Sequence, residues 1–479
     1  MKKTEKIEHT LKKYSEEEKV GVDRLLEEEA RSYQGKIIVL DDDPTGVQTV
    51  HGIHVYTSWD LESIRQGFEE DNTVFFILTN SRAMSAEETS EVHRTIAQRI
   101  DFLANEYKRD YCIISRGDST LRGHYPLETD ILRKEFEEKR GLSMDGEILC
   151  PFFGEGGRLT ADDVHYVRCG YELVPVGETE FAKDETFGFQ SSNLKEYIEE
   201  KSQGEYSADR VDSITLEELR NIKIDTITDR LCGTGYFKKF IINAIDDYDV
   251  KVFAVALYRS LKKGRHFVIR CAASFIKAMG NVQSIPLLTR DEMIEKDGKE
   301  GGLIVVGSHT SKTTEQLRVL QSNSKIVFVE LNSDLVLVPD ELASEVDRVI
   351  IQAEQFISQG KTVCISTRRK LLKLTEDSPE TALRRSVEIS NALQRCVGEL
   401  KVKPAFVLAK GGITSSDIGT KALRVKRAMV LGQVAAGVPV WKTDMESKFP
   451  GIPYVIFPGN VGDRETLYEV ASRLMGDKE

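Results

Sequence analysis

Three consecutive aspartates, Asp41 to Asp43, end an apolar run over residues 37–40 and precede the turn-forming residues 44–46. Short apolar runs rich in β-branched residues that stop at turn formers are typical of buried parallel strands. In open α/β sheets, ligands bind at the carboxyl ends of such strands. Because three neighbouring carboxylates repel one another, the pattern predicts a functional site here, with a solvated acidic loop as the alternative.

Two further predicted strands also end in polar loops. One loop contains Asn80, Ser81 and Arg82, and the other, SRGDSTLRG, contributes Arg116, Asp118, Ser119, Thr120 and Arg122. If these strands are neighbours, carboxylates and guanidinium groups meet at one sheet edge. Arginine suits bidentate binding of a carboxylate or phosphate, whereas Asp and Ser suit hydroxyl groups. Together they indicate a small hydroxy acid, unless Arg116 and Arg122 only pair with the aspartates in a surface network.

Three glycine-rich turns follow predicted strands in the second half of the chain, at residues 307–314, 410–417 and 458–463. Such turns bind anions through backbone amides and hydroxyl groups, so three of them favour a phosphate-rich ligand such as a nucleotide. No Walker A motif occurs, because residues 360–362 lack the upstream glycine, and no GxGxxG follows a strand. The eight histidines show no metal-ligand spacing.

The alternation of strands and helices predicts an α/β protein with mainly parallel sheets, and 479 residues are enough for two domains. We expect a charged helical extension over residues 1–34, a first domain over 35–290 and a second over 300–479. The polar, glycine-containing stretch 289–302 would form the boundary. A ligand cleft is expected between the two domains.

The composition excludes several classes of function. A formal net charge of −12 argues against a nucleic-acid partner. The seven scattered cysteines form no CxxC pair, so neither a zinc ribbon nor a disulfide framework is indicated. The amino terminus lacks the apolar core of a signal peptide, and no apolar run is long enough to span a membrane. A cytoplasmic protein with no membrane partner is therefore the expectation.

The motifs resemble those of the four-carbon acid sugar kinase family, the DUF1537 type. Asp42 to Gly46 is similar to its DDxTG element, Ser81-Arg82 to its SR element, and residues 116–123 to its KxDSTLRG element. Residues 150–173 are also family-like, and the three glycine-rich turns resemble the family's nucleotide loops. The resemblance implies a substrate domain followed by a nucleotide domain.

The resemblance further implies ATP-dependent phosphorylation of a hydroxyl group on a small sugar acid, such as threonate, erythronate or an oxo-tetronate, with Mg²⁺ offsetting phosphate charge. Arg82 and Arg116 would bind the carboxylate, and Asp42 and Asp43 would contact the hydroxyl groups. From proximity alone, we also hypothesise that Asp42 or Asp43 accepts the hydroxyl proton. The remaining substrate contacts would come from Asp118, Ser119, Thr120 and Arg122. ATP would contact Ser308, Gly411, Gly412, Ile413, Thr414 and Gly459. The metal ligands are not assigned, and the partners would be the two small molecules and, in a homodimer, a second copy.

Two positions depart from the family pattern. Arg116 stands where the family usually has lysine, which keeps the charge but changes its geometry. Ile413 stands where an acidic residue commonly follows the paired glycines, with Asp417 as a substitute. These departures concern the identity of the substrate and the position of a carboxylate near the phosphates.

Two other classes of function fit part of the sequence. Asp41-x-Asp43-x-Thr45 also resembles the nucleophile motif of haloacid-dehalogenase-type phosphatases, in which Asp41 would attack phosphorus. That alternative leaves DSTLRG and the second domain without a role. A non-catalytic sugar-acid sensor is the third class, and sugar-acid-dependent ATP consumption would exclude it.

Overall fold

The computed structural model describes residues 12–294, 299–370, 372, 379–459 and 461–476. The chain divides into two compact units, Met1–Ser284 and Ile285–Glu479. Both units have α/β architecture, which confirms the predicted fold class. Residues 1–11 of the predicted extension, residues 295–298 of the predicted boundary and Asn460 in the third glycine-rich turn lie outside the described residues.

The first unit contains eight parallel strands and a small antiparallel sheet. Its strands are β1 (Lys36–Asp41), β2 (His54–Tyr56), β3 (Val74–Leu78), β4 (Tyr111–Arg116), β5 (Gly146–Cys150), β6 (Arg158–Ala161), β7 (Val164–Cys169), β8 (Glu172–Pro175), β9 (Asp212–Ile214), β10 (Lys238–Ile242) and β11 (Phe267–Cys271). The parallel strands lie in the order β2-β3-β1-β4-β11-β5-β10-β9. Strands β6, β7 and β8 form the antiparallel sheet.

The helices of the first unit connect these strands. They are α1 (Glu16–Ser32), α2 (Leu61–Glu69), α3 (Ala86–Tyr107), α4 (Leu127–Arg140), α5 (Leu194–Lys201), α6 (Leu216–Arg220), α7 (Ile224–Cys232), α8 (Asp247–Lys262) and α9 (Ala273–Met279). Helices α2, α3 and α4 share one hydrophobic core with Ile38 and Leu40 of β1. Helix α3 begins at a capping box formed by Ser85 and Glu88, as its sequence predicts.

Strand β1 is central because it pairs with β3 on one side and β4 on the other. Its apolar residues 37–40 are buried on both faces, as expected for a strand inside a parallel sheet. Asp41 lies opposite Leu78 of β3 and Arg116 of β4. Since β3 continues along the chain to β4 on the opposite side of β1, these three carboxyl ends form a topological switch point, where ligands bind in open sheets.

Helix α1 of the charged amino-terminal segment packs on α8. Val22 and Leu26 are buried, and Asp23 accepts hydrogen bonds from Tyr248 Oη at 2.9 Å and Lys251 Nζ at 2.7 Å. Glu29 binds Arg259 of the same helix. The charges of α1 are therefore partly used in contacts within the first unit.

The second unit contains a seven-stranded mixed sheet. Its strands are β12 (Leu303–Val306), β13 (Ile326–Leu331), β14 (Thr362–Thr367), β15 (Val407–Lys410), β16 (Arg427–Ala435), β17 (Val438–Thr443) and β18 (Pro453–Phe457). They lie in the order β13-β14-β12-β15-β18-β17-β16. The first five are parallel, while β17 pairs antiparallel with both β18 and β16.

The helices of the second unit are α10 (Arg290–Met293), α11 (Ser311–Leu320), α12 (Pro339–Ser358), α13 (Pro379–Gly398), α14 (Gly412–Asp417) and α15 (Thr466–Met475). Strands β12, β15 and β18 are neighbours, so their carboxyl ends bring together the three glycine-rich turns. No helix in the described part of the chain has the length and apolarity needed to cross a membrane.

Candidate functional site

The three polar loops of the first unit meet at the carboxyl ends of β1, β3 and β4. Backbone hydrogen bonds join them: Thr79 N–H donates to the Asp41 carbonyl at 2.9 Å, and Arg82 N–H donates to the Asp42 carbonyl at 3.3 Å. Asp42 N–H donates to the Arg116 carbonyl at 3.3 Å. The structure thus brings together the loops whose strands were predicted to be neighbours.

Arg82 binds two of the three aspartates. Its Nε and Nη2 donate to the two carboxylate oxygens of Asp42 at 3.0 and 2.6 Å, and its Nη1 donates to Asp43 at 3.3 Å. Thr45 adds bonds from its N–H, at 2.7 Å, and its hydroxyl to Asp43 Oδ1. Burial would raise the pKa of Asp43, but Arg82, Arg116 and the bonds from Thr45 outweigh it and lower the pKa.

Arg116 lies deeper in the unit, with only 4% of its surface exposed. Its Nη1 donates to Asp41 Oδ1 and Asp42 Oδ1, both at 3.2 Å. Both arginines predicted to hold a substrate carboxylate are therefore already bound to aspartates. The alternative of an Asp–Arg network describes these contacts, although Arg116 is buried rather than on the surface.

Asp41 is chemically different from its two neighbours. Burial raises its pKa to about 8, and the charges of Asp42 and Asp43 raise it as well, while Arg116 opposes them. A Cβ atom on Gly46 would overlap the Asp41 carboxyl group, so the loop closes directly over this side chain. A neutral carboxyl group enclosed in this way does not suit the phosphorus-attacking nucleophile of the phosphatase alternative.

The loop after β4 is organised around Asp118. Arg122 Nε donates to Asp118 Oδ2 at 2.6 Å, and the Thr120 hydroxyl donates to the same oxygen. Burial would raise the pKa of Asp118, but Arg82, Arg122 and the bond from Thr120 hold it well below its usual range. Ser119 and Thr120 are buried, whereas Arg122 is partly exposed and lies over the ring of Phe181.

A buried ion pair, which the sequence did not predict, lies behind this loop. Arg270 of β11 binds Glu128 of α4, and its Nη1 also donates to Ser115 Oγ at 2.7 Å. Glu128 accepts from Ser81 Oγ and Ser115 Oγ, both at 2.8 Å. A Cβ atom on Gly117 would overlap the Arg270 guanidinium group, so only glycine allows this close approach.

The Glu128–Arg270 pair therefore contacts the second and third polar loops at once. Burial would raise the pKa of Glu128, but Arg270, His93 and the two serine hydroxyls lower it to about 2, so the carboxylate is ionised. No local motif signals this pair, because its two members lie 142 residues apart in the sequence.

In the second unit, the three glycine-rich turns converge on Ser308. Thr313 Oγ1 donates to Ser308 Oγ at 3.1 Å and to the Gly459 carbonyl at 3.3 Å. A Cβ atom on Gly411, which has a φ of +124°, would lie 3.0 Å from Ser308 Cβ and 3.1 Å from Thr414 Oγ1. Four of the predicted nucleotide residues, Ser308, Gly411, Thr414 and Gly459, thus lie together.

The remaining two predicted nucleotide residues lie at the start of α14. No heavy atom of the described residues lies within 4 Å of the position that a Cβ on Gly412 would occupy, and Ile413 is 70% exposed. Asp417, at the other end of this helix, accepts a hydrogen bond from Ser390 at 2.9 Å and pairs with Lys421 at 2.7 Å. The carboxylate considered as a substitute for the missing acidic residue therefore already has two partners.

Lys410, at the end of β15, fixes one of these turns and was not predicted. Its Nζ donates to the carbonyls of Pro458 and Gly459 at 2.6 and 3.3 Å and lies over the ring of Phe457. Burial, with a smaller contribution from the charge of Lys312, lowers the pKa of Lys410 to about 7. Lys410 therefore connects the end of β15 to the glycine-rich turn at residues 458–463.

The open space around Gly412 and the hydroxyl groups of Ser308, Thr310 and Thr313 form the kind of surface that phosphate oxygens bind. Within the described ranges, no group of three His, Cys, Asp or Glu residues could hold a metal ion. Mg²⁺ in phosphoryl-transfer sites is bound by few carboxylates and mainly by water and the phosphates. The residues present therefore fit a nucleotide and leave the protein ligands of a metal unassigned.

Comparison with known families identifies both units. A sugar-binding N-terminal domain matches residues 37–279, and a nucleotide-binding C-terminal domain matches residues 303–467. The chain belongs to the four-carbon acid sugar kinase family. The two matched segments include every predicted substrate-binding and nucleotide-binding residue.

Two solved structures share the fold. The Haemophilus influenzae protein HI1011, of the DUF1537 family, is 14% identical with a TM-score of 0.60, and the match covers 91% of this chain and 100% of that chain. A Salmonella typhimurium LT2 protein, named provisionally as a tRNA synthase, is 14% identical with a TM-score of 0.64, covering 91% and 98%. At this identity the likeness shows the fold alone. A comparison with curated proteins gave no match.

Proposed function

We propose that the protein transfers the γ-phosphate of ATP to a hydroxyl group of a small sugar acid, with a four-carbon acid such as threonate, erythronate or an oxo-tetronate as the substrate. One observation carries the proposal: a sugar-binding domain with a compact Asp–Arg site is followed, in the same chain, by a nucleotide-binding domain with converging glycine-rich turns. A phosphatase or a sugar-acid sensor would not require a second domain that binds a nucleotide.

The contacts in the first unit support different roles for Asp42 and Asp43. Asp42 is 1% exposed, and its two oxygens accept three hydrogen bonds from Arg82 and Arg116. Asp43 is 18% exposed, and its Oδ2 accepts one bond, from Arg82, at 3.3 Å. Asp43 is therefore the better candidate to accept the substrate proton, and Asp42 holds Arg82 in place. The lowered pKa of Asp43 keeps it ionised at neutral pH.

In the second unit, the phosphates would contact the hydroxyl groups around Ser308 and the backbone of Gly411, Gly412 and Gly459. Bound Mg²⁺ would offset the charge of the phosphates. Catalysis of phosphoryl transfer rests mainly on positioning and electrostatic stabilisation, so little covalent chemistry is asked of the side chains.

The test is ADP release from ATP in the presence of three- to six-carbon sugar acids. We expect release that depends on a sugar acid, and a fall in kcat of about 10²- to 10⁴-fold in Asp43→Asn, the size of a lost proton acceptor. Arg122→Ser, at a partly exposed position, should mainly raise KM for the sugar acid. ATP-independent phosphate release, or full turnover by Asp43→Asn, would contradict the proposal.

A further inference from the structure

Five arginines of the first unit lie near the loop after β4, residues 116–123, which we call the substrate loop, and Arg158 differs from the other four. Arg82 and Arg116 both form ion pairs with Asp42, Arg122 pairs with Asp118, and Arg270 pairs with Glu128. Their positive charges are therefore already balanced by carboxylates of the protein. A substrate carboxylate needs a guanidinium group whose charge is not balanced in this way.

Arg158, the first residue of β6, meets this requirement. Its Nη1 donates to the Gly156 carbonyl, whereas its buried Nε has no hydrogen-bond partner in the part of the chain that the structure describes. Among the described residues, Arg158 forms no ion pair with a carboxylate. A buried donor without a partner destabilises the folded state, so native structures rarely leave one without a reason.

Charges of the substrate loop act on Arg158. Burial lowers its pKa, the charge of Asp118 partly offsets burial, and the charge of Arg122 adds to it. The guanidinium group is thus partly buried, lies within electrostatic range of Asp118 and Arg122, and is incompletely neutralised. An anion bound there would improve the electrostatic balance.

The small antiparallel sheet holds Arg158 in this position. Backbone hydrogen bonds of 2.9 Å join Phe153 and Arg158 in both directions. Further along the sheet, His165 Nε2 lies 2.8 Å from the Ser119 carbonyl, and its Nδ1 lies 2.9 Å from Thr160 Oγ1. Because burial lowers the pKa of His165 to about 4, the imidazole is neutral at physiological pH and serves as a fixed link between the sheet and the substrate loop.

We propose that Arg158 binds the carboxylate of the substrate and thereby selects an acid over a neutral polyol of the same length. This assignment rests on the proposed function and replaces Arg82 and Arg116 in that role. A guanidinium group binds a carboxylate with two parallel hydrogen bonds, which gives direction as well as charge recognition. The hydroxyl groups of the acid would then face Asp43 and Asp118.

The experiment compares Arg158→Met with Arg168→Met, which removes the same charge from an exposed position on the same small sheet. Binding of a four-carbon sugar acid and of the matching alditol is measured by calorimetry without ATP, and KM for acid and for ATP is measured by ADP release. We expect Arg158→Met to weaken acid binding and raise KM for the acid about 10- to 100-fold. KM for ATP and alditol binding should stay within about twofold.

Arg158→Lys should recover part of the lost acid affinity, because it keeps the charge but not the bidentate geometry. Arg168→Met should match the wild type, and unchanged binding of an ATP analogue would show that Arg158→Met is folded. Equal loss of acid and alditol binding, or unchanged acid binding, would overturn the assignment, as would a wild-type protein that binds none of the acids. A wild-type protein that binds the acid but releases no ADP would refute the proposed kinase activity. The role of Arg158 would still be tested by the binding of the acid.

Discussion

At the scale of single residues, Asp41 and Asp43 at the end of β1 differ in charge. Asp43 keeps its negative charge because of Arg82, Arg116 and Thr45, whereas the enclosed Asp41 holds a proton up to a pH of about 8. In the sequence they are identical letters. What separates them is burial and the direction of two guanidinium groups, which no local pattern encodes.

Asp41→Asn should therefore be a mild substitution for activity at neutral pH. Asparagine has nearly the shape of the neutral aspartic acid that it replaces, so we expect kcat within about threefold of the wild type near pH 7. ADP release with saturating sugar acid measures this. A fall of 10²-fold or more would contradict a neutral Asp41 and restore its candidacy as a nucleophile.

The same variant should change how stability depends on pH. The pKa of Asp41 is raised from an ordinary value near 4 to about 8, so the folded protein binds more protons between these values. The contribution of Asp41 to stability is then present in acid and is lost as the pH rises from about 4 to 8, by up to about 1.4 kcal/mol per pH unit. Asp41→Asn should remove this loss.

Urea unfolding at pH 5 and pH 7.5 checks the sign. The stability of Asp41→Asn relative to the wild type should increase with pH by on the order of 2–3 kcal/mol. Asp43→Asn is the contrasting control: the pKa of Asp43 is lowered, so its contribution exists above pH 4 and the variant should be less stable throughout that range. Parallel pH profiles for the wild type and Asp41→Asn would refute a raised pKa.

At the scale of elements, the Glu128–Arg270 pair joins α4, β11 and the substrate loop. We expect Glu128→Gln to raise KM for the sugar acid about 10-fold, because Arg270 would lose the carboxylate that holds it against Gly117. KM for ATP should not change. Steady-state kinetics with each substrate varied in turn separates the two constants.

A matched control lies in the same sheet. Glu147 of β5 and Lys239 of β10 form a buried ion pair at 2.7 Å near the amino ends of their strands, opposite the substrate edge. Glu147→Gln should destabilise the protein comparably, since each change breaks a buried pair, yet leave KM for the acid unchanged. If both variants raised KM equally, the effect would be general destabilisation rather than positioning.

The sequence was informative about elements and loops and less so about contacts between distant segments. The apolar runs before Asp41, Asn80 and Gly117 predicted buried strands, and the strand ends are adjacent because β1, β3 and β4 pair in parallel. Arg270 lies in the strand sequence FVIRC, and this local sequence does not indicate which helix or strand the arginine contacts. Its role depends on the position of β11 in the sheet, and local patterns do not determine strand order.

At the scale of the whole molecule, the two units should respond to different ligands. Hydrogen exchange of the intact protein should slow at residues 41–46, 80–82 and 116–123 with a sugar acid, and at 307–314, 410–417 and 458–463 with a non-hydrolysable ATP analogue. Ligand at 100 times its Kd stabilises the binding-competent state by about 2.7 kcal/mol. Matching amounts of a neutral polyol and of AMP would show whether the effect is specific. Protection of the same segments by both ligands would contradict the assignment of one ligand to each unit.

The position of β11 also has a consequence for biosynthesis. Residues 267–271 insert between β4 and β5, which are complete by residue 150. A ribosome must therefore add more than a hundred residues before the middle of the first sheet can close. Sheets that depend on such distant pairings fold slowly and expose unpaired strand edges meanwhile. Since Arg270 arrives on this last strand, the sugar site would be among the final features to form, and ligand binding would report a completed fold.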